Sequence, residues 1–426
     1  MSTTPTKTAQ QQAATAQGAS TTVVPTRPTS TAPTMVHTTP TPRLIRGLRN
    51  ALVIILTLFA GLTVVATVAP EMALGSSAAD ISLGQQLRGA RATLAEADRK
   101  ASVAFLAPTA ATTGSEWNDY QSTIDQVSSM LLRAAADHPG DSDELATVQT
   151  QISDYRRSVD AAWTVAGTGS AAGGSQFVAA GTKLDAPLQT LASLAQESDS
   201  RVGQGPSWQI GPWSVAAGWI AVASLVMSAF LVARRSHRVL NVGLTAGLLL
   251  VIGAATLASN ANTVVQQSLT DVTTTSLAAA RIHVDTRTTA ERAKAAEDRT
   301  LLQPALGDAA WTKLSTSMTA MLATLPDPSE RDSQTSLWNS YVTVHTALQP
   351  SAANAKSAGR TTTLTPLVAF SDQAKGLADA DAGVATSTLT NAQRTQLPLG
   401  IGASVAAVLA LFSAVWGLSR RLAEYV

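Results

Sequence analysis

Three polar residues stand where the helical pattern of this chain calls for apolar side chains, and their types could support chemistry. They are His283, Glu297 and His345, the last of which follows Trp338 and Tyr341 at steps of three and four. A histidine titrates near neutral pH, and polar groups between packed helices are costly unless they are paired. The spacing therefore indicates a buried site that binds a ligand or senses pH. Ordinary hydrogen-bonded core histidines, or an error in the helical register, would explain it as well.

Four arginines form a second candidate site. Arg88 and Arg91 lie in one predicted helix, and Arg281 and Arg287 lie in another. A guanidinium group can bind a carboxylate through two parallel hydrogen bonds, so these side chains could contact an acidic ligand. The alternative is a solvated helix face, because a charged stripe opposite an apolar seam is ordinary.

Other chemistry finds little support in the sequence. The chain contains no cysteine, which excludes disulfides, thiolate metal sites and cysteine catalysis. We find no glycine-rich phosphate loop, no metal-ligand spacing and no nucleophile motif. We therefore expect a protein that is not an enzyme, with no catalytic residue, cofactor, metal or nucleic-acid partner.

Four apolar runs must position these residues. Charged residues make up only 14% of the chain and the mean hydropathy is +0.12. Each run has the length of about 20 residues that a membrane-spanning helix needs. The first run is too long for a cleaved signal peptide and follows a long tail, so we interpret it as a span. The predicted spans are 46–69, 211–233, 239–258 and 397–418.

Three clusters of basic residues flank the spans, and all three fall on the same side of the membrane, which predicts the orientation. By the positive-inside rule, both termini, the loop 234–238 and the segment 419–426 lie in the cytoplasm, and the chain is a multi-pass protein of the plasma (inner) membrane. The regions 70–210 and 259–396 then lie outside. The cytoplasmic topology anchors are Arg43, Arg46, Arg49, Arg234, Arg235, Arg238, Arg420 and Arg421.

Residues 1–45 are rich in threonine and proline and contain almost no large apolar side chain. Such a segment buries too little surface to offset its ordering entropy, so we predict a disordered cytoplasmic tail. It could be a simple solvated tail. It could also be a docking or phosphorylation segment, since phosphate would sharply change the charge of a basic tail.

Both outside regions show the 3-and-4 spacing of helical bundles, as in Leu145, Val148, Ile152 and Tyr155. Breakers divide each region into four such helices, which predicts an antiparallel four-helix bundle. Matches such as Trp117 with Trp311 and Tyr155 with Tyr341 indicate a tandem repeat. The predicted fold class is an all-α integral membrane protein with four transmembrane helices and two extracytoplasmic four-helix bundles.

Aligned in this way, the second bundle has His283, Glu297 and His345 where the first has Leu87, Ala101 and Val159. If the histidines occupy an otherwise apolar seam, leucine at both positions should stabilise the second bundle. We also expect that double substitution to uncouple an outside signal from the cytoplasm.

The order span, four-helix bundle, span resembles the sensor module of bacterial chemoreceptors and sensor kinases. Two such modules with an Ala- and Thr-rich composition and a Thr/Pro-rich cytoplasmic tail resemble the GlnX-type actinobacterial membrane signalling proteins. The resemblance implies a transducer that links a GlnH-type solute-binding lipoprotein outside to the Ser/Thr kinase PknG inside, reporting a nutrient such as an amino acid. No residue role is carried over from that family, because the resemblance rests on architecture.

Other functions stay open from the sequence. The chain could be a structural or assembly scaffold of the cell envelope, or an accessory subunit of a transporter. The middle of each span lacks ionisable residues, which argues against transport. The partners that we expect are the lipid bilayer, a solute-binding lipoprotein, a Ser/Thr kinase and a second copy of the chain in a homodimer.

Overall fold

The computed structural model describes residues 41–106, 114–168, 172–202, 210–236, 241–348 and 362–423, and it is helical throughout these ranges, with no strand. The predicted all-α fold class is confirmed. Residues 1–40 of the predicted disordered tail 1–45 and the side chains of Arg43, Arg235, Arg238 and Arg421 lie outside what the structure describes. Residues 41–45 of that tail form the start of a helix instead, so the prediction is wrong for them. The helices are α1 (Thr41–Phe105), α2 (Gly114–Asp137), α3 (Ser142–Gly167), α4 (Ala172–Gly181), α5 (Asp185–Arg201), α6 (Ile210–Ser236), α7 (Val242–Asp271), α8 (Leu277–Leu302), α9 (Ala309–Ala323), α10 (Pro328–Leu348) and α11 (Leu364–Ala423).

Four of these helices, α1, α6, α7 and α11, are long and apolar enough to cross a membrane. Their apolar segments pack around a shared core that includes Leu56, Leu225, Val251 and Ala410. On the outside of this group, large apolar side chains such as Phe412 are exposed, as expected for a surface that faces lipid. The four predicted spans are therefore present as candidate membrane helices.

The span helices α7 and α11 make an unusually close contact. Gly243 and Gly247 of α7 form a GxxxG pattern, and they face Ala414 and Gly417 of α11. A Cβ atom on Gly243 would lie 2.4 Å from the Cα of Gly417, so only glycine allows this approach. Small residues of this kind drive helix association in membranes, where apolar contact with lipid is equally favourable. The side chain of Asn241 reinforces the contact by donating to the Gly417 carbonyl at 3.3 Å.

Three helices continue from the candidate membrane spans into the regions 70–210 and 259–396 without interruption. Helix α1 passes through Pro70 and α11 passes through Pro398, and the predicted span boundaries near 70 and 397 fall inside them. Between α7 and α8 the chain keeps turning through a short π-helix, Val272–Ser276. At about 1.5 Å per residue, α1 is roughly 100 Å long. Each of these spans is thus joined to the helix beyond it by a continuous helical segment.

The two proline-containing helices are tied together near the membrane boundary. The Gln396 side chain, which is buried, donates from Nε2 to the Thr67 carbonyl at 2.8 Å. Pro70 has no N–H to donate to the carbonyl of Ala66, four residues earlier in the helix. The Gln396 side chain binds the next carbonyl along, that of Thr67. An apolar cluster surrounds the same level of the molecule, formed by Leu74, Ile81, Val202, Val265, Leu269, Val272, Leu277, Ala385, Leu389 and Ala392.

The first helical unit consists of the outer part of α1 with α2, α3, α4 and α5, within residues 74–202. Its core contains the predicted seam residues of every one of these helices, among them Leu87, Ile124, Ile152 and Leu188. The second helical unit consists of α8, α9, α10 and the first half of α11, within residues 277–396. Its core includes Trp311, Tyr341 and Phe370. That the two units are repeats of one another stays a prediction.

Candidate functional site between the two helical units

Helices α1 and α8 pack side by side where the two units meet. Both run away from the membrane, so they are parallel. The apolar seam of α1, for example Leu87 and Leu94, faces the core of the first unit. The opposite face of α1 carries charged residues, and these meet the charged face of α8. The interface between the units therefore contains a row of ion pairs.

Ion pairs follow one another along this interface. Arg91 Nη1 lies 2.5 Å from Asp285 Oδ1, and Arg287 Nη2 lies 2.7 Å from Glu96 Oε2. Further out, Arg99 pairs with Glu291 at 2.5 Å, and both side chains are less than a tenth exposed. Removing one partner of such a buried pair is costly, because the other charge is left without compensation.

All four arginines predicted as carboxylate contacts do contact carboxylates, but the carboxylates belong to the protein itself. Arg88 and Arg281 both pair with Asp199 of α5, so one carboxylate links α1, α5 and α8. Arg91 and Arg287 are the interface residues just described. The solvated-face interpretation does not describe Arg88, whose side chain is only 5% exposed.

A buried polar network surrounds Glu297 at the outer end of the second unit. The first carboxylate oxygen of Glu297 accepts hydrogen bonds from Lys294 Nζ at 2.8 Å and Thr363 at 3.2 Å. The second accepts from Tyr341 at 2.9 Å and lies 2.7 Å from His345 Nδ1. Each of these side chains is buried. Trp311 stacks on the His345 ring with centroids 3.7 Å apart.

The network extends across the interface into the first unit. Lys294, which is fully buried, also pairs with Asp298. Asp298 in turn accepts a hydrogen bond from Ser102 of α1 at 2.6 Å. Beside it, the carboxylate of Asp98 on α1 accepts from Arg299 of α8 at 2.5 Å. Glu297 is thus connected to α1 through Lys294 and Asp298.

The pKa values of the two neighbouring acids in this network are shifted in opposite directions. Burial would raise the pKa of Glu297, but the hydrogen bond with His345 and the charge of Lys294 outweigh it and lower that pKa to about 2. The pKa of Asp298 is raised, because burial and the neighbouring Glu297 charge outweigh the attraction of Lys294. The same cation thus lies beside one acid whose pKa is lowered and one whose pKa is raised.

His283 does not join this network. It lies fourteen positions before Glu297 on α8, a distance of about 21 Å along the axis. Its Nδ1 is 3.0 Å from Gln334, and its Nε2 is 3.4 Å from Glu330 and 3.6 Å from Asp381. The expected convergence of His283, Glu297 and His345 is therefore wrong for His283, and only Glu297 and His345 meet.

Several residues of this site escaped the sequence analysis, chiefly Lys294, Asp298, Glu291 and Asp199. The available signal was the run of charges in α8 at steps of three and four, which place Glu291, Lys294 and Asp298 on a single helix face. Such a pattern is more typical of a solvated face. Within the described residues, no group of three or more His, Cys, Asp or Glu side chains is arranged to hold a metal ion.

Comparison with known families adds one match. Residues 79–205, which make up most of the first unit, match the family model described as an actinobacterial sensor domain. No curated protein and no solved structure matches this chain. The four membrane-length helices and the sensor domain together define a multi-pass membrane protein with a sensing domain, and the match suggests a sensing or signalling role.

Proposed function

We propose that this protein is a non-enzymatic transmembrane signal transducer. The outside units would receive a nutrient signal, such as an amino acid, directly or through a solute-binding lipoprotein of the GlnH type. The spans would pass that signal to the cytoplasmic segments, which would recruit a Ser/Thr protein kinase of the PknG type. This is the role that the resemblance to GlnX-type proteins implies, and the sensor-domain match supports its outside half.

The observation that carries the proposal is the combination of continuous helices with an ionic interface. Helices α1 and α11 run unbroken from the outside units through their spans. The interface between α1 and α8 is held by pairs such as Arg91–Asp285. Ionic pairs of this kind can exchange between discrete arrangements, as subunit interfaces do in allosteric proteins. A shift between the units would then reach the bilayer without passing through a flexible joint.

An outside stimulus can drive such a shift only if it binds one arrangement of the units more tightly than the other. The arrangement in this structure is the one with the α1–α8 ion pairs formed. We propose that the second arrangement breaks or exchanges some of them. Weakening a pair should therefore change the output even without a stimulus.

A charge exchange at Arg91 and Asp285 tests this proposal, because both side chains are partly exposed and we expect substitutions there to disturb the fold little. We expect Arg91→Asp and Asp285→Arg each to change phosphorylation of the kinase substrates in cells with and without added amino acids. The combined variant should restore the normal response, since the pair is re-formed. Arg157→Asp, on an exposed face of α3, is the control. Equal responses in all variants at equal membrane levels would contradict the proposal.

The orientation is part of the proposal and has its own test. The chain lacks cysteine, so single cysteines report location cleanly. Ser142 and Ser329 are exposed on the two outside units. In intact cells, an impermeant maleimide should label Ser142→Cys and Ser329→Cys and leave Ser236→Cys unlabelled. The reverse labelling pattern would overturn the orientation.

A further inference from the structure

A cleft of about 320 Å³ lies between the two units, closer to the membrane than the Glu297 network. Four helices form its walls, α1 and α2 from the first unit and α8 and α11 from the second. An open groove along α11 leads to it past Gln85, Asp379 and Ala382. The main residues lining the cleft are Gln85, Gln86, Arg88, Arg287, Lys375 and Asp379.

Three cations line the cleft, and each has a carboxylate partner in the protein, Asp199 for Arg88, Glu96 for Arg287 and Asp379 for Lys375. Arg88, Arg287 and Lys375 contribute three cations, and Asp379 contributes one anion, 3.7 Å from the Lys375 ammonium group. Small residues between them, such as Gly89, keep the helix backbones close to the cleft. A site of this size suits a small molecule, and an arginine that keeps an unpaired N–H donor can still bind a carboxylate.

Hydrogen-bonding groups in the cleft walls lack partners among the described residues. Arg88 uses Nη2 for Asp199, but its Nη1 is buried and unpaired. Gln85 Nε2 is a second buried donor without a partner, and Gln86 Oε1 is an unpaired acceptor. Buried polar groups are normally hydrogen-bonded, so unpaired ones at a cleft point to a bound molecule.

We propose that this cleft binds a small organic carboxylate. Its carboxylate group would accept hydrogen bonds from Arg88 Nη1 and Gln85 Nε2, with Arg287 and Lys375 supplying further positive charge. Gln86 and Asp379 would accept from donor groups elsewhere on the same molecule. Such charge-assisted hydrogen bonds are stronger than neutral ones and select carboxylates over their amides.

Because the cleft lies between the two units, a ligand bound there would affect how the units are arranged. Gln85 and Arg88 belong to α1, and Arg287 and Lys375 belong to α8 and α11, so the ligand would bridge the two units. It would favour the arrangement in which these helices keep their present spacing. This coupling rests on the proposed signalling function, whereas the binding itself does not.

The test measures binding to the purified full-length protein in lipid nanodiscs by isothermal titration calorimetry. The probes are succinate, L-glutamate and acetate, with inorganic phosphate and the neutral amide succinamide for comparison. We expect saturable binding of at least one carboxylate and none of succinamide. In the double variant Gln85→Leu/Lys375→Gln, affinity should fall at least about tenfold, since a neutralised charge and a lost donor both act on the ligand.

Lys313→Gln is the matched control, because Lys313 is an exposed lysine on α9 away from the cleft. It should bind like the unmodified protein. No saturable binding at millimolar carboxylate, binding of phosphate alone, or equal affinity in the double variant would each overturn the proposed site. If a carboxylate binds as expected but its addition to cells leaves phosphorylation of the kinase substrates unchanged, the site stands and the proposed function is contradicted instead.

Discussion

The first unit is built from five helical segments and the second from four, and the two units bury different side chains. The first unit fills its core with apolar and aromatic side chains, where Trp117 stacks on Trp163 at 4.3 Å and Phe105 on Phe177 at 4.4 Å. The second unit buries Glu297 with its hydrogen-bonding partners. An apolar core is non-directional, whereas a buried polar network must satisfy each of its members. The packing of the second unit therefore depends on specific polar contacts, whereas that of the first depends mainly on apolar ones.

The units also differ in their links to the membrane. The second unit continues into its spans through α7 and α11, each a helical connection. The first unit continues into α1, but residues 203–209, which connect it to α6, lie outside the described residues. The sensor-domain match covers the first unit. Input at the first unit and output through the second would therefore have to cross the α1–α8 interface.

The largest effect should come from charging the apolar core of the first unit. Ile152→Asp places an unpaired carboxylate where the present side chain is 1% exposed, which should cost about 5 kcal/mol or more. Hydrogen–deuterium exchange should then show faster exchange throughout the first unit. Asp154→Ala changes an exposed residue of the same helix and should cost about 0.5 kcal/mol or less. Similar exchange in both variants would refute the buried seam.

Removing the buried cation of the second unit should be nearly as costly. Lys294→Met leaves Glu297 and Asp298 without the ammonium group that both contact, and we expect a loss of about 3–5 kcal/mol. Local exchange should rise in α8 and α10 while the first unit changes less. Adding Glu297→Gln and Asp298→Asn should recover much of the loss, since no carboxylate is then unpaired. Failure of that recovery would show that Lys294 acts through packing.

The opposite shifts of Glu297 and Asp298 predict a pH effect confined to the second unit. The pKa of Glu297 falls from 4.5 to about 2, so its contribution is present above about pH 4.5 and is lost as pH falls toward 2. At most, this is about 3 kcal/mol. The stability advantage of the natural protein over Glu297→Gln should shrink over that range, measured by denaturant unfolding in detergent.

Asp298 supplies the internal control for that experiment. Its pKa is raised above 3.8, so the folded state holds its proton more tightly than the unfolded state does. Its contribution to stability is therefore present below pH 3.8 and is lost as pH rises from 3.8 through the raised pKa. The advantage of the natural protein over Asp298→Asn should therefore change with the opposite slope. Parallel slopes for the two variants would contradict the described network.

The helix interiors were readable from the sequence because each unit's seam repeats every three or four residues. The residues of the Leu145–Val159 seam are all buried as the spacing predicts. The four spans were equally readable from their length. The polar positions Glu297 and His345 stood out because they interrupt a seam. In each case the burial of a helix face is visible as a pattern of residue types within that helix.

The contacts between units were not readable, because no local pattern states which helix faces another. Asp199 meets Arg88 and Arg281 over separations of 111 and 82 residues. Charges at helical spacing look the same on a solvated face and on a buried interface. The close approach of Gly243 to Gly417 did leave a signal, the GxxxG pattern at Gly243 and Gly247, but that signal was overlooked.

The smallest of the expected effects separates the two interpretations of His345. From the sequence, leucine at positions 283 and 345 should stabilise the second unit, because the histidines interrupt an apolar seam. The contacts of His345 in the structure lead us to expect the opposite sign at position 345. His345 Nδ1 is hydrogen-bonded to Glu297 at 2.7 Å, and its ring stacks on Trp311. Leucine would leave a buried carboxylate with one partner fewer.

We therefore expect His345→Leu to cost about 1–3 kcal/mol, the range for a buried acceptor that loses a hydrogen bond. His345→Asn is the conservative comparison, because its amide can still donate toward Glu297, and it should cost less. Denaturant unfolding in detergent and local exchange in α10 measure the difference. If His345→Leu proved more stable than the natural protein, Glu297 would be satisfied by Lys294, Tyr341 and Thr363 alone. His345 would then lower the stability of the second unit, and its place beside Trp311 would point to a role in switching instead of stability.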